Sequence, residues 1–437
     1  MAAKSLALFA LAAVARASFP DGLKAELGKI AEEESRKYNC SISIAVRKDD
    51  ESVAAAAGTV DFLTNRQAQP SDRYAWGSVT KMFTAASIMK LVSLGRLSLD
   101  DHIGPLVDPI LAKMAAKDAT QNFSSVEDLW GKHVAENTVR QLLAMQSAIP
   151  DFDTATPSRT GISQDPLRAE LYNEPDKFWT PQALMSVPWV VGHEKDCRPF
   201  PSMPLMKFCY SSTNFMILGL VLAAQAGEST WSDFNQSAHL PVYLRERIIF
   251  ANGGAPKDYG TANGYDRTSY NRPHGQTANH DNAEVKGVFA GWTASNLVAD
   301  AAAVADLTWE IWGPTSSVAP KEYIDEMIPK TNAIYGLGAF NIGFQTGQKG
   351  PLGMGYGHLG ATYGYQSLAG YFPELNFALT IGTNIETDTQ VQPADTFCLA
   401  YNAVAGALLH KTFTCRFEAH GYYGGGCVCS EDAEIMV

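Results

Sequence analysis

The sequence carries its β-strand patterning at its two ends and its helical patterning in the middle, so any extensive sheet must be assembled from both ends of the chain. From about Asp21 to Tyr38, Leu23, Leu27, Ile30 and Ala31 recur at spacings of three and four, which predicts a helix with one apolar face. Ser41 to Val46 and Val53 to Val60 read as strands, with the charged run Arg47 to Glu51 as their turn. Near the other end, Gln366 to Tyr371 and Phe377 to Thr383 read as a second strand pair joined by Phe372-Pro373-Glu374. An Ala-rich helix from Ala394 to Leu409 follows. Residues 78–282 are mostly helical in pattern, broken by loops such as Asn252 to Asn282. This layout predicts an α/β lobe made of residues 18–77 and 283–411, with a helical lobe, 78–282, inserted between them.

Composition supports a large buried core: of 437 residues 46% are hydrophobic and 18% charged. The net charge of −12 argues against nucleic-acid binding, which needs Lys and Arg to displace counterions. Lys4, the apolar run Ser5 to Val14 and Ala15-Arg16-Ala17 read as a secretory signal, residues 1–17. The run is well short of the ~20 residues of a membrane span. Cleavage after Ala17 removes Lys4 and Arg16, taking the chain from 437 to 420 residues and its charge from −12 to −14. Phe215 to Ala226, the longest later apolar run, reads as a buried core helix. A secreted product with no membrane contact after cleavage is expected. In an oxidising compartment disulfides persist, and Cys197 and Cys209 are spaced to close one loop. Cys415, Cys427 and Cys429 cluster in a tail, residues 412–437, while Cys40 and Cys398 stand alone. Seven cysteines leave one thiol over. Sequons at Asn39, Asn122 and Asn235 fit a secreted glycoprotein.

Three short motifs carry chemistry. In Ser78-Val79-Thr80-Lys81, Ser78 stands at a helix start and Lys81, three residues on, shares its face. Ser87-Ile88-Met89-Lys90 has the same spacing, but Ser87 lies inside the helix, where no backbone donors are free. Tyr210-Ser211-Ser212 leads into the Phe215 run, and His358-Leu359-Gly360 sits in Gly355-Tyr356-Gly357-His358-Leu359-Gly360-Ala361. Gly355, Gly357 and Gly360 also spell a dinucleotide fingerprint, which requires a following helix. Tyr363 to Tyr371 is strand-like instead.

Taken in order, SxxK, Tyr-Ser and HxG resemble the serine β-lactamase and penicillin-binding protein superfamily, and within it class C β-lactamases with their esterase and D-aminopeptidase relatives. Met82 to Asp101 resembles the segment after the nucleophile in that family, and Thr138 to Asp151 its "tvrxLLthtSGipd" stretch. Gly357 to Ser367 resembles its "GHxGxxxGxxS" strand. The resemblance spans roughly Leu23 to His410. It implies a β-lactamase/transpeptidase-like fold: an antiparallel sheet flanked by N- and C-terminal helices plus an inserted, mainly helical lobe. Two departures stand out. Ser212 occupies a place usually held by Asn, and Met145 and Ala148 replace a His and a Gly.

The resemblance implies a serine hydrolase in which Ser78 attacks a carbonyl and an acyl-enzyme forms. A serine hydroxyl needs a neighbouring base. Lys81 or Tyr210 must lose its proton about three pH units below its ordinary range, a change of roughly 4 kcal/mol, so the two are expected to share that role. His358 is expected beside the leaving group, with Ser212 and Gly360 around the substrate and the N–H groups of Ser78 and Ala361 as the oxyanion hole. The expected partner is a small-molecule ester, amide or lactam, with ester or amide hydrolysis preferred because Ser212 offers one hydroxyl where Asn offers an amide. Neither a cofactor nor a metal is expected, since no His-x-x-x-His pair occurs and His274, His280 and Asp281 lack a regular spacing. Alternatives are a β-lactamase, a D-amino-acid peptidase, or a catalytically silent secreted binding protein.

Overall fold

A computed structural model describes residues 19–153, 156–157, 163–193, 199–200, 203–269, 279–330, 333–419 and 426–431. The expected signal segment and Cys197 lie outside the described residues. The first helix, α1 (Leu23–Tyr38), buries Leu23, Leu27, Ile30 and Ala31. It stops at Asn39, which adopts a left-handed conformation (φ 49°) and returns its N–H to the Ser35 carbonyl. Strands β1 (Ile42–Lys48) and β2 (Glu51–Ala57) follow as a hairpin.

From the far end of the sequence come β3 (Phe340–Asn341), β4 (Tyr356–Thr362), β5 (Tyr365–Phe372) and β6 (Phe377–Thr383). The sheet runs β3-β4-β5-β6-β1-β2, antiparallel throughout, so the two ends meet where β6 pairs with β1, Ile44 opposite Ile381. Every residue of β5 and β6 is buried, because helices cover both faces. On one face α1 packs with the C-terminal helix, Val391–Leu409. Against the other lies the helix Ala301–Trp312, whose first carbonyl accepts from Thr380 Oγ1 at 2.8 Å. This is the expected mixed α/β architecture. Among the described residues no helix is long and apolar enough to cross a membrane.

Two helices of the middle segment are buried nearly all round: α2 (Thr80–Ser93) and α3 (Ser212–Gln225). Their apolar residues are not confined to a stripe, which marks central helices. Much of the remaining middle is less helical than its pattern predicts. After α3 the chain makes 3-10 turns and strands of two residues, including Ile249–Phe250 and Tyr265–Asp266. Ile249–Phe250 joins Leu297–Ala299 and Tyr74–Ala75 in a three-stranded ribbon. Strands this short show no period that a sequence can reveal.

The segment read as a tail is a hairpin, Phe413–Glu418 with Gly426–Glu431, fastened by disulfides Cys398–Cys427 and Cys415–Cys429. Cys209 is also disulfide-bonded. Among the described residues the free thiol is Cys40, whose burial pushes it up to about 12.

A buried charge cluster ties the middle segment to the short strand Ile385–Glu386 that follows β6. Arg168, 4% exposed, donates to Asp165 at 3.0 Å and to both oxygens of Glu386 at 2.7 and 2.9 Å, and also contacts Asp266. Burial raises Glu386 to about 7 in spite of Arg168. Three carboxyl groups around one guanidinium leave no substitute for that cation. Arg168→Met is therefore expected to lower stability by about 3–5 kcal/mol in urea unfolding.

Candidate active site

Ser78 lies in the 3-10 turn Gly77–Val79, which runs directly into α2. Several bonds fix that turn. The Trp76 indole donates to the Ala299 carbonyl at 3.0 Å, Thr80 Oγ1 to the Gly77 carbonyl at 2.7 Å, and the Leu297 N–H to Thr80 Oγ1 at 3.0 Å. The ribbon thus holds the nucleophile turn from behind. Ser78 itself stays partly exposed.

Lys81 is 0% exposed. Its Nζ lies 2.7 Å from Ser78 Oγ, 3.1 Å from Ser212 Oγ and 3.1 Å from the Ala294 carbonyl. A neutral amine has two N–H bonds and one lone pair. The Ala294 carbonyl can only accept, Ser212 can take the second proton, and the lone pair then points to the Ser78 hydroxyl. Burial lowers Lys81 to about 8, against the opposing pull of Asp153 and Asp151.

Tyr210 immediately precedes the Ser211 cap of α3 and hydrogen-bonds Ser78. Its ring centroid lies 5.1 Å from Lys81 Nζ. Burial and the neighbouring Tyr335 push its phenol well above the ordinary range. The two expected base candidates therefore part company: Lys81 is biased toward loss of its proton and Tyr210 toward keeping it.

Ser212, 1% exposed, faces Lys81 and gives its own N–H to Asp151 Oδ1 at 2.9 Å. It is placed to hold the amine rather than to meet a ligand. Ala148, where the resemblance has Gly, adopts φ 63°, a conformation that favours glycine. The turn around it is secured to α3 by Ser147 Oγ donating to Asn214 Oδ1 at 2.6 Å and by Asn214 Nδ2 donating to the Leu142 carbonyl at 3.3 Å.

His358 sits differently from its expected place beside the leaving group. It is 1% exposed, and its Nδ1 lies 2.5 Å from the Leu359 carbonyl. A carbonyl only accepts, so Nδ1 carries the proton and Nε2 accepts from Tyr335 OH at 3.0 Å. Burial and the Lys81 charge push this imidazole down to about 3. Both nitrogens are committed, and His358 reaches the site through the Tyr335 and Tyr210 rings, whose centroids are 6.4 Å apart. Tyr335, Asp153 and the Ala294 carbonyl had no motif around them in the sequence.

Glycine brings β4 against the nucleophile turn. Gly77 has φ 50°, and a Cβ there would lie 2.8 Å from Ala361 N and 2.4 Å from its oxygen. A Cβ on Gly360 would meet the Trp76 carbonyl and Ser367 Oγ, each at 2.1 Å. The peptides of Ser78 and Ala361 are thereby neighbours, as a two-donor oxyanion site requires. β4 is followed by a turn and β5, so the strand-then-helix context of a dinucleotide site is missing. Of the His274, His280 and Asp281 group, His274 lies outside the described residues and His280 stacks on Tyr172.

A family model described as Beta-lactamase matches residues 39–400. The chain belongs to the Beta-lactamase family. It is a serine hydrolase of the β-lactamase-related type. A D-stereospecific amidohydrolase from Streptomyces sp. is 20% identical with a TM-score of 0.60, over 89% of this chain and 98% of that one. D-amino acid amidase from Ochrobactrum anthropi SV3, complexed with D-phenylalanine, is 18% identical with a TM-score of 0.62, over 89% and 98%. An octameric penicillin-binding protein homologue from Pyrococcus abyssi is 22% identical with a TM-score of 0.59, over 89% and 78%. At these identities the likeness is one of fold.

Gly360→Ala tests the glycine contact. The added methyl must push β4 off the nucleophile turn, and a displacement near 1 Å is expected to cost about 100-fold in kcat. Circular dichroism should remain that of the wild type, since the disturbance is confined to one strand crossing.

Proposed function

We propose that this protein is an exported hydrolase that opens small esters or amides through an acyl-enzyme on Ser78. The observation that carries this reading is the buried Lys81 amine 2.7 Å from the partly exposed Ser78 hydroxyl. In the proposed sequence Lys81 takes the Ser78 proton as Oγ bonds to the carbonyl carbon, and the N–H groups of Ser78 and Ala361 receive the oxyanion. Collapse expels the leaving group, which receives the proton held by Lys81 relayed through the Tyr210 hydroxyl, so that Lys81 is again neutral and Tyr210, which bonds Ser78, ends the step with a phenol proton. Water then attacks the ester as Lys81 takes its proton, the acyl–Oγ bond breaks to release the acid, and Lys81 returns the proton to Ser78 Oγ. His358, Tyr335 and Phe340 hold the Tyr210 ring in place.

Amide hydrolysis draws support from the fold neighbours named as D-amino acid amidase and D-stereospecific amidohydrolase. Efficient β-lactam turnover is disfavoured because Ser212 is occupied with Lys81. Export draws support from the apolar N-terminal run, the disulfides and the exposure of all three sequon asparagines, Asn39, Asn122 and Asn235.

A substrate panel tests this reading. Turnover of p-nitrophenyl esters and D-amino-acid amides should exceed that of nitrocefin, and Ser78→Ala should lose at least about 1,000-fold. The base is active when neutral, so kcat/KM should rise with pH and level off above an apparent pKa of about 8. Full activity in Ser78→Ala, or preferred turnover of nitrocefin, would overturn it.

A further inference from the structure

Three sequons stand outside the mechanism above, and one of them borders a cavity. A groove of about 530 Å³, within the ~300–1,000 Å³ range of small-molecule sites, opens between α1 and the end of β2. Asn39, the acceptor of Asn39-Cys40-Ser41, lines that groove and is exposed. Glu32 and Arg36 from α1 and Gln67 from the short strand Arg66–Gln67 give its walls charged and amide groups, while Ala56 and Ala57 of β2 give an apolar surface. A sugar ring needs both, since its hydroxyls seek donors and acceptors and its carbons seek apolar contact. We infer that the groove is a carbohydrate site filled by the chain's own glycan: an N-acetylglucosamine joined to Asn39 Nδ2 lies in it and covers the β2 edge and the Cys40 thiol.

This inference rests on the export reading. In attachment the Nδ2–C1 bond forms as the bond from C1 to the pyrophosphate of a lipid-linked oligosaccharide breaks; Nδ2 gives up one proton and the pyrophosphate leaves with the electron pair. Asn39 is free to take part, because the end of α1 uses only its backbone N–H, and its side chain makes no hydrogen bond among the described residues. Ser41 sets the timing. It is 0% exposed and its Oγ accepts from Tyr74 OH at 3.1 Å, so a transferase reaches this hydroxyl only before the chain has folded. The fold then closes beside the first sugar. What the sugar would cover needs covering: β2 ends the sheet, where a strand presents unpaired N–H and C=O groups, and Cys40 is a free thiol that exchanges with disulfides wherever it is accessible. β4 lies toward the opposite end of the sheet, so a sugar at the β2 edge leaves the catalytic cleft open.

The full chain, expressed with its leader in insect or mammalian cells, tests this by glycopeptide mass spectrometry of the secreted product. Asn39 should be occupied. In the folded protein an N-glycan amidase should release the Asn39 sugar at least about tenfold more slowly than sugars on the exposed Asn122 and Asn235, because it acts only while the sugar is out of the groove. Denaturation should make the rates equal. The thiol gives a second readout: iodoacetamide should label Cys40 of the folded protein several-fold faster in Asn39→Asp, a residue that tolerates the left-handed conformation of this position, than in the glycosylated wild type. A bare Asn39, release from Asn39 as fast as from the other two sites, or unchanged Cys40 labelling overturns the inference. The release rates are read on the wild type, so they decide the point even if Asn39→Asp fails to fold. Failure of the export reading would look different, as a retained chain with all three sequons bare, and would overturn both, whereas a bare or freely released Asn39 beside an occupied Asn122 or Asn235 overturns this inference alone.

Discussion

The structure depends on holding one lysine amine out of water and against a serine hydroxyl. An amine at 0% exposure is stable only if oxygens replace its hydration shell. Here those oxygens come from three separate stretches: Ser78 at the start of α2, Ser212 at the start of α3 and Ala294 after the long middle segment. Neither buried helix can shift without breaking that set. The same desolvation that needs those partners lowers Lys81 to about 8, so packing and basicity have one cause.

The second constraint is backbone proximity. β4 crosses the nucleophile turn at a distance that excludes a Cβ on Gly77 and on Gly360. β4 in turn is positioned by seven pairings with β5, and β5 by seven with β6, the strand that joins the C-terminal half to β1. Sheet register therefore reaches the site: the pairing of Gly360 with Ser367 places Ser367 Oγ on the Trp76 carbonyl at 2.9 Å, next to Ser78.

The features legible in the sequence were those with a period or a motif. Leu23, Leu27, Ile30 and Ala31 give α1 to within two residues, and Phe377 to Thr383 is β6 as read. The strands beside the nucleophile, Tyr74–Ala75 and Leu297–Ala299, escaped because two or three residues show no alternation. Ser78 and Lys81 share a face by their spacing, Tyr210 joined them only through the order of motifs that carries the resemblance, and the three do converge in space. His358 was visible as a residue but not in its surroundings, because its partner Tyr335 lies 23 positions away with nothing in the chain to couple them. The contacts of Asp151 were equally hidden, since its hydrogen bond reaches across 61 residues to Ser212.

Trapping the covalent intermediate addresses the central claim most directly. The protein is incubated with a fluorophosphonate or a penicillin, digested and mapped by mass spectrometry. A single adduct on Ser78, absent in Lys81→Ala, is the predicted result. An adduct on Ser87 or elsewhere, or undiminished labelling of Ser78 without Lys81, would contradict it.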